Sequence, residues 1–162
     1  MDNITLQRIQ ILHPKIRNEV AYLIEKANAQ LTKHSQIRVV QGYRTFAEQQ
    51  ALYDQGRTKP GPKVTNAKPG QSFHNYGLAI DFALLIDGKQ ISWDIQKDWD
   101  GDLISDWLEV VKVFKEAGYT WGGQWKFKDN PHFEKAFSYT WQQLLEKYKK
   151  KDFIPGTNYL NL

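Results

Sequence analysis

The run SFHNYGLAID, Ser72 to Asp81, places a hydroxyl, an imidazole and a carboxylate in one short segment through Ser72, His74 and Asp81. Two kinds of chemistry suit such a set. Ser72 could act as a nucleophile in a Ser/His/Asp triad, or His74 and Asp81 could be two ligands of a metal ion. Ser72 and His74, two apart, face one side only if the backbone is extended and regular. No glycine-flanked nucleophile elbow accompanies them. Asp81 stands between Ile80 and Phe82 in an apolar stretch, where a buried carboxylate needs a partner. A cation such as zinc is one partner, and an arginine in a structural salt bridge is another.

The chain contains no cysteine, which excludes disulfides and thiolate metal sites. A zinc site must then draw on His, Asp and Glu, with one position left to water if it is catalytic. Only four histidines exist. His13 precedes a proline at a helix start and His34 lies in a polar turn, so both read as surface residues. His132 sits in the loop-like KDNPHFE, with Asp129 three residues before it and Glu134 two after. A metal-activated water needs a nearby general base that is not itself a ligand, and Asp129 could stand over the open position. The same centre could also serve structure or binding without turnover.

The elements around these residues follow from periodicity and punctuation. After Pro14, Ile16, Val20, Leu23, Ile24, Ala27 and Leu31 recur at helical spacing, with Pro14 suited to the first turn. Ile37–Tyr43 reads as a strand. Thr45 and Glu48 form a capping box for a helix ending near Gly56. Residues 57–70 lack any period and read as a loop. LAIDFALLI is an apolar strand, DGK a turn and QISWDI a returning strand. DWLEVVKVFKEAG is a helix ending at Gly118, YTW a short strand, and YTWQQLLEKYKKK a last helix. Helices around a small, mainly antiparallel sheet make an α+β fold.

At 162 residues with six Trp, the chain can bury a core and is expected to be one domain, residues 1–162. Its net charge of +4 favours polyanions in general; equally, the lysines of EKYKKKDF are a solvated helix end. No nucleic-acid partner and a monomeric state are expected. No apolar run approaches the ~20 residues of a membrane span. Met1–Gln10 lacks the layout of a signal peptide, so synthesis in the cytoplasm without a visible leader is the expectation.

SFHNYGLAID also matches the signature Ser-x-His-x-x-Gly-x-Ala-x-Asp and resembles the zinc peptidases that cut bacterial peptidoglycan peptides. The likeness extends through VVQGYRTFAEQQALYDQGRT upstream and DWLEVVKVFKEAGYTWGGQWKFKDNPHFE downstream. Within the group the chain is most similar to L-alanyl-D-glutamate endopeptidases of phage endolysins and Bacillus-type wall hydrolases. The resemblance implies the zinc D-Ala-D-Ala carboxypeptidase/Hedgehog-like fold, zinc on His74, Asp81 and His132, and Asp129 as the catalytic acid/base. It also implies that Arg44 binds substrate and stabilises the oxyanion, and that Ser72 orients substrate or a ligand histidine. Gln49 is a further candidate for the substrate groove. Independently, Arg44 precedes a helix N-terminus, where a cation is disfavoured, so an anion to bind would explain it. WGGQW reads either as an aromatic rim beside His132 or as core packing by Trp121 and Trp125. The implied partner is the peptidoglycan stem peptide. A D,D- or L,D-carboxypeptidase and a non-catalytic zinc-bearing wall-binding module remain as alternatives.

DWDGDLISDWLE raises a separate possibility. Counted from Asp98, the carboxylates of Asp98, Asp100, Asp102, Asp106 and Glu109 fall at positions 1, 3, 5, 9 and 12 of an EF-hand calcium loop. Position 6, normally glycine, is Leu103, and Gly101 is displaced to position 4. The alternative is an acidic loop that caps a helix through Ser105 or Asp106.

Overall fold

The structure, a computed structural model, describes residues 1–162. It opens with a helix that the sequence pattern does not announce, α1 (Asn3–Gln10), of which only Thr5 and Ile9 are buried. Its start is set by Asp2, whose carboxylate accepts from the Ile4 and Thr5 amides. The expected helix after His13 is α2 (Pro14–Asn28), with Ile16, Val20, Leu23, Ile24 and Ala27 buried along one stripe.

His13 is not a surface residue. It is 1% exposed. Its Nδ1 accepts from the Lys15 amide at 3.1 Å and its Nε2 donates to the Leu160 carbonyl at 2.8 Å. One ring thus caps α2 and anchors the C-terminal segment, a long-range contact that no local pattern announces. His34 is exposed and pairs with Asp87 at 2.8 Å.

Five strands form one antiparallel sheet: β1 (Ser35–Gln41), β2 (Ala79–Ile86), β3 (Gln90–Ser92), β4 (Thr120–Trp121) and β5 (His132–Glu134). The spine is β2. One edge of it pairs with β1, while the other is shared by β5 along residues 79–81 and by β3 along residues 84–86. β4 closes the sheet beyond β5. The segment around His132 is therefore a strand and not a loop. At three residues it is too short for alternation to reveal, and pairing with β2 decides it.

The remaining helices are α3 (Phe46–Asp54), α4 (Asp106–Glu116) and α5 (Trp141–Lys149). Thr45 and Glu48 make the full capping box of α3. Ser105 caps α4 by accepting from the Leu108 amide. The sheet, α1, α2 and α4 contribute to one cluster of 25 buried apolar residues, joined by Leu144 of α5. At its centre Phe82 packs on Trp107 (4.3 Å between ring centroids), and Phe133 stacks on both Phe82 (5.4 Å) and Phe114 (4.7 Å). Such aromatic pairs stabilise beyond their buried area by about 0.5–1.5 kcal/mol each. Phe82 and Phe133 follow Asp81 and His132 in the chain, so this stack fixes the strand residues that carry the candidate ligands. No helix is long and apolar enough to cross a membrane.

Candidate metal centre

Three segments bring the polar cluster together. Ser72 initiates a 3-10 turn over Phe73–Tyr76, its hydroxyl accepting from the His74 amide at 3.3 Å. Gly77 ends that turn at φ +68°, and a Cβ there would lie 2.7 Å from the His13 nitrogen, so only glycine lets the chain pass into β2. Asp81 sits in β2 directly opposite His132 of β5. The ladder register itself thus presents a carboxylate and an imidazole on neighbouring strands, with His74 delivered by the preceding turn.

The three donor atoms converge. His74 Nε2 lies 3.2 Å from Asp81 Oδ1 and 3.2 Å from His132 Nδ1, and His132 Nδ1 lies 3.0 Å from Asp81 Oδ1. A tetrahedral zinc with bonds of about 2.0–2.1 Å spaces its donors ~3.3 Å apart, so the triangle fits such an ion with little movement. The outward nitrogens are committed elsewhere. His74 Nδ1 donates to the Gly42 carbonyl at 2.7 Å, and His132 Nε2 donates to Glu134 at 2.8 Å. These bonds fix the ring orientations and, with an ion bound, leave the inward nitrogens as lone-pair donors.

Glu134 is the functional candidate that sequence reasoning left without a role. Its signal was present: residues i and i+2 of a strand share a face, so a strand at His132 places Glu134 beside it. Gly42 gave no signal, because it contributes a main-chain oxygen.

The electrostatics match a cation site. Burial raises the Asp81 pKa, but the flanking His74 and His132 outweigh it and hold the carboxyl below the usual range. Burial lowers that of His132, and the bonds to Asp81 and Glu134 outweigh it, carrying it to about 9. Both residues thus stand where one positive charge is strongly favoured, and a divalent ion answers the same field.

The triangle opens onto a cavity of about 430 Å³ whose walls include Arg44, Ser72, Trp125, Asp129 and Glu134. Asp129 is exposed to this cleft, and its pKa is raised, first by desolvation at the cleft wall and then by the Asp81 charge. Its main chain is tightly held: the Asp129 amide donates to the Gly122 carbonyl at 3.0 Å, and its own carbonyl accepts from the His132 amide at 3.2 Å. Arg44 Nη2 stands 3.9 Å from Asp81 Oδ2, while its buried Nε–H has no hydrogen-bond partner.

Gln49 is not in the groove. It is fully buried, and it accepts from Arg44 Nη1 at 3.1 Å and donates to the Ala67 carbonyl at 2.8 Å. Its place is behind Arg44. The two tryptophans divide between the two readings of WGGQW. Trp121 packs against the core with its Nε1 donating to the Asn130 carbonyl, and Trp125 lies at the cleft, its ring 5.1 Å from that of His132.

An α+β scaffold with two imidazoles and a carboxylate gathered at one end of an antiparallel sheet is the frame of a metal-dependent hydrolase. Residues 65–135 match a family described as D-alanyl-D-alanine carboxypeptidase. The peptidoglycan L-alanyl-D-glutamate endopeptidase CwlK of Bacillus subtilis (strain 168) is 49% identical over 124 residues, 76% of this chain and 72% of that one. Among solved structures, the vancomycin-resistance D,D-dipeptidase VanXYg, in complex with a D-Ala-D-Ala phosphinate analogue, aligns with a TM-score of 0.52 at 22% identity. That match covers 89% of this chain and 61% of the longer VanXYg chain, and it speaks for the fold alone. The chain belongs to the D-alanyl-D-alanine carboxypeptidase family of metallopeptidases, alongside CwlK.

Proposed function

We propose that this protein is a zinc-dependent endopeptidase of peptidoglycan stem peptides that cuts the L-Ala–D-Glu bond, with residues 1–162 acting as one catalytic domain. The observation that carries the metal chemistry is the triangle of His74 Nε2, Asp81 Oδ1 and His132 Nδ1, with sides of 3.0–3.2 Å. The bond specificity rests on the 49% identity to an L-alanyl-D-glutamate endopeptidase.

His74, Asp81 and His132 would hold the ion, leaving its fourth side to the cleft. Zinc held there would supply Lewis acidity to the scissile carbonyl and to the attacking water. Asp129 accepts a proton from that water as the new C–O bond forms, and returns it to the leaving amine as the C–N bond breaks. A carboxyl whose pKa is raised, first by desolvation and then by the Asp81 charge, is a better donor for that second transfer. Arg44 faces the developing oxyanion or a substrate carboxylate, and its unpartnered Nε–H is the donor such an anion would satisfy. Gln49 positions the guanidinium from behind. Ser72 sets the turn that aims His74 and presents its hydroxyl to the cleft. No covalent acyl-enzyme is required.

The deciding experiment is mass spectrometry of purified peptidoglycan digested by zinc-loaded protein, with Asp129→Ala as the control. New N-terminal D-Glu or D-isoGlu on released peptides, absent with the variant, is the expected result. Release of a terminal D-Ala would instead make the protein a carboxypeptidase, and intact wall with zinc bound would make it a binding module.

A further inference from the structure

A second cluster of acidic side chains lies outside the cleft, at the start of α4. Carboxylate oxygens of Asp98, Asp100 and Asp106 lie within 4.8 Å of one another. Asp100 and Asp106 are buried, and so is Glu109, at 8% exposure. Asp106 and Glu109 are three apart on the first turn of α4 and therefore share a face.

All four aspartates have donors. Asp98 accepts from the Gly101 and Leu103 amides, Asp102 from the Ile104 amide, and Asp100 from Thr32 and the Asp102 amide. Asp106 accepts from the Trp99 amide and from the Ser35 hydroxyl. Glu109 differs, since its Oε2 is buried without any hydrogen-bond partner. Desolvation, reinforced by the charges of Asp102, Asp100, Asp106 and Asp98, pushes its pKa up to about 7. Lys33 reaches this loop, but only at the Asp100 carbonyl.

Helix capping accounts for Ser105 and Asp106 but not for Glu109. An acidic residue in a first turn is favourable when it meets free amides or water. A carboxylate oxygen buried without a donor beside a cluster of aspartates is costly, and a cation among them would remove the cost. The backbone is already shaped for one: Leu103, at the position where an EF-hand loop carries glycine, takes φ +76°.

We propose that Asp98, Asp100, Asp102, Asp106 and Glu109 form a binding site for a hard divalent cation of calcium's class, separate from the His74/Asp81/His132 centre. The donor set is all oxygen, without imidazole or sulfur, which selects against zinc. Carboxylates from a 12-residue loop and an exiting helix suit an ion that takes 6–8 oxygens at 2.3–2.6 Å better than magnesium, which demands a compact octahedron. Its structural effect would be to tie the loop to α4, whose Trp107 and Phe114 brace Phe82 and Phe133 behind the cleft.

The test uses zinc-loaded protein exchanged into calcium-free buffer at a fixed concentration of free zinc, followed by thermal melting with and without calcium and by terbium luminescence excited through Trp99 and Trp107. Calcium at a hundredfold excess over its Kd is expected to raise the Tm by roughly 5–10 °C. Terbium emission should appear and be displaced by calcium. Glu109→Gln should melt higher than the parent without calcium, lose the calcium shift and lose at least about tenfold in terbium affinity. Asp98→Asn, at a half-buried position, provides the same loss in a second background. Absence of both responses up to about 10 mM calcium, above the range of weak extracellular sites, overturns the proposal. Terbium emission that persists unchanged in both variants overturns it as well, since the ion would then sit elsewhere. Neither readout depends on peptidase activity.

Discussion

Asp81 and His132 are register partners in the β2–β5 ladder, and their side chains meet at 3.0 Å between Oδ1 and Nδ1. The same strand carries Glu134 two residues on, bonded to the far nitrogen of the His132 ring at 2.8 Å. A two-strand ladder thus supplies two candidate ligands and the residue that orients one of them. Slipping β5 by one residue would turn His132 and Glu134 to the face opposite Asp81.

Removing the orienting carboxylate should weaken the metal without emptying the site. Glu134→Gln is expected to lower zinc affinity about 10–100-fold, measured by competition with a chromophoric chelator. Unchanged affinity would mean that the Glu134 bond does not aim the ring.

Asp129 should separate chemistry from metal binding. Asp129→Ala is expected to reduce kcat about 10²–10⁴-fold, the usual worth of a positioned acid/base, with zinc stoichiometry retained. A variant that lost zinc in parallel would place Asp129 among the ligands instead.

Gln49 offers a test of positioning behind Arg44. Gln49→Leu keeps the volume but leaves Arg44 Nη1 and the Ala67 carbonyl without their partner, a destabilisation of about 1–3 kcal/mol for buried groups. Urea titration reads that loss. kcat/KM should fall as well, and Gln49→Glu should restore the Arg44 contact and recover part of the activity. A fall in stability alone, with kcat/KM unchanged, would leave Gln49 a purely structural residue.

Much of this architecture was legible in the residues. The stripe from Ile16 to Ala27 specifies α2, Thr45 and Glu48 specify the start of α3, and the apolar run at 78–86 specifies the central strand, because each signal is local. SFHNYGLAID gave two of the three converging residues for the same reason. What stayed hidden was set by tertiary contact. His13 is buried only because Leu160 returns over it. β5 is a strand only because β2 pairs with it, and Gln49 faces inward only because α3 packs on the loop that carries Ala67. Helix α1 has too few apolar positions to show a period, and its existence rests on the Asp2 cap and on packing against β1.

Gly122 marks how closely the loop before β5 is packed. A Cβ there would stand 2.5 Å from the Asp129 carbonyl oxygen and 3.2 Å from His132 Cβ. Gly122→Ala must displace the Asp129 backbone, and a misplacement of about 1 Å can cost on the order of 10²-fold in rate. Steady-state kinetics beside a zinc assay checks this: kcat should fall while zinc stays bound. Full activity would show that the loop can yield without moving Asp129.

The acidic loop makes a prediction about stability and pH whose sign is opposite to that of most carboxylates. The folded-state pKa of Glu109 is raised from 4.5 to about 7 by desolvation and the surrounding aspartates. Between those values the folded protein binds more protons at this site than the unfolded chain, so stability falls as pH rises. The contribution is fully present below about 4.5 and is lost as pH passes 7. Other groups titrate in the same window, so the comparison is between calcium-free parent and Glu109→Gln, by urea midpoint at several pH values. The parent should lose stability relative to the variant as pH rises, and the two should run parallel above pH 8. Calcium should reverse the trend in the parent, because the ion binds the deprotonated carboxylate. If parent and variant keep a constant difference throughout, the pressure of the four aspartates on Glu109 is relieved by some other route.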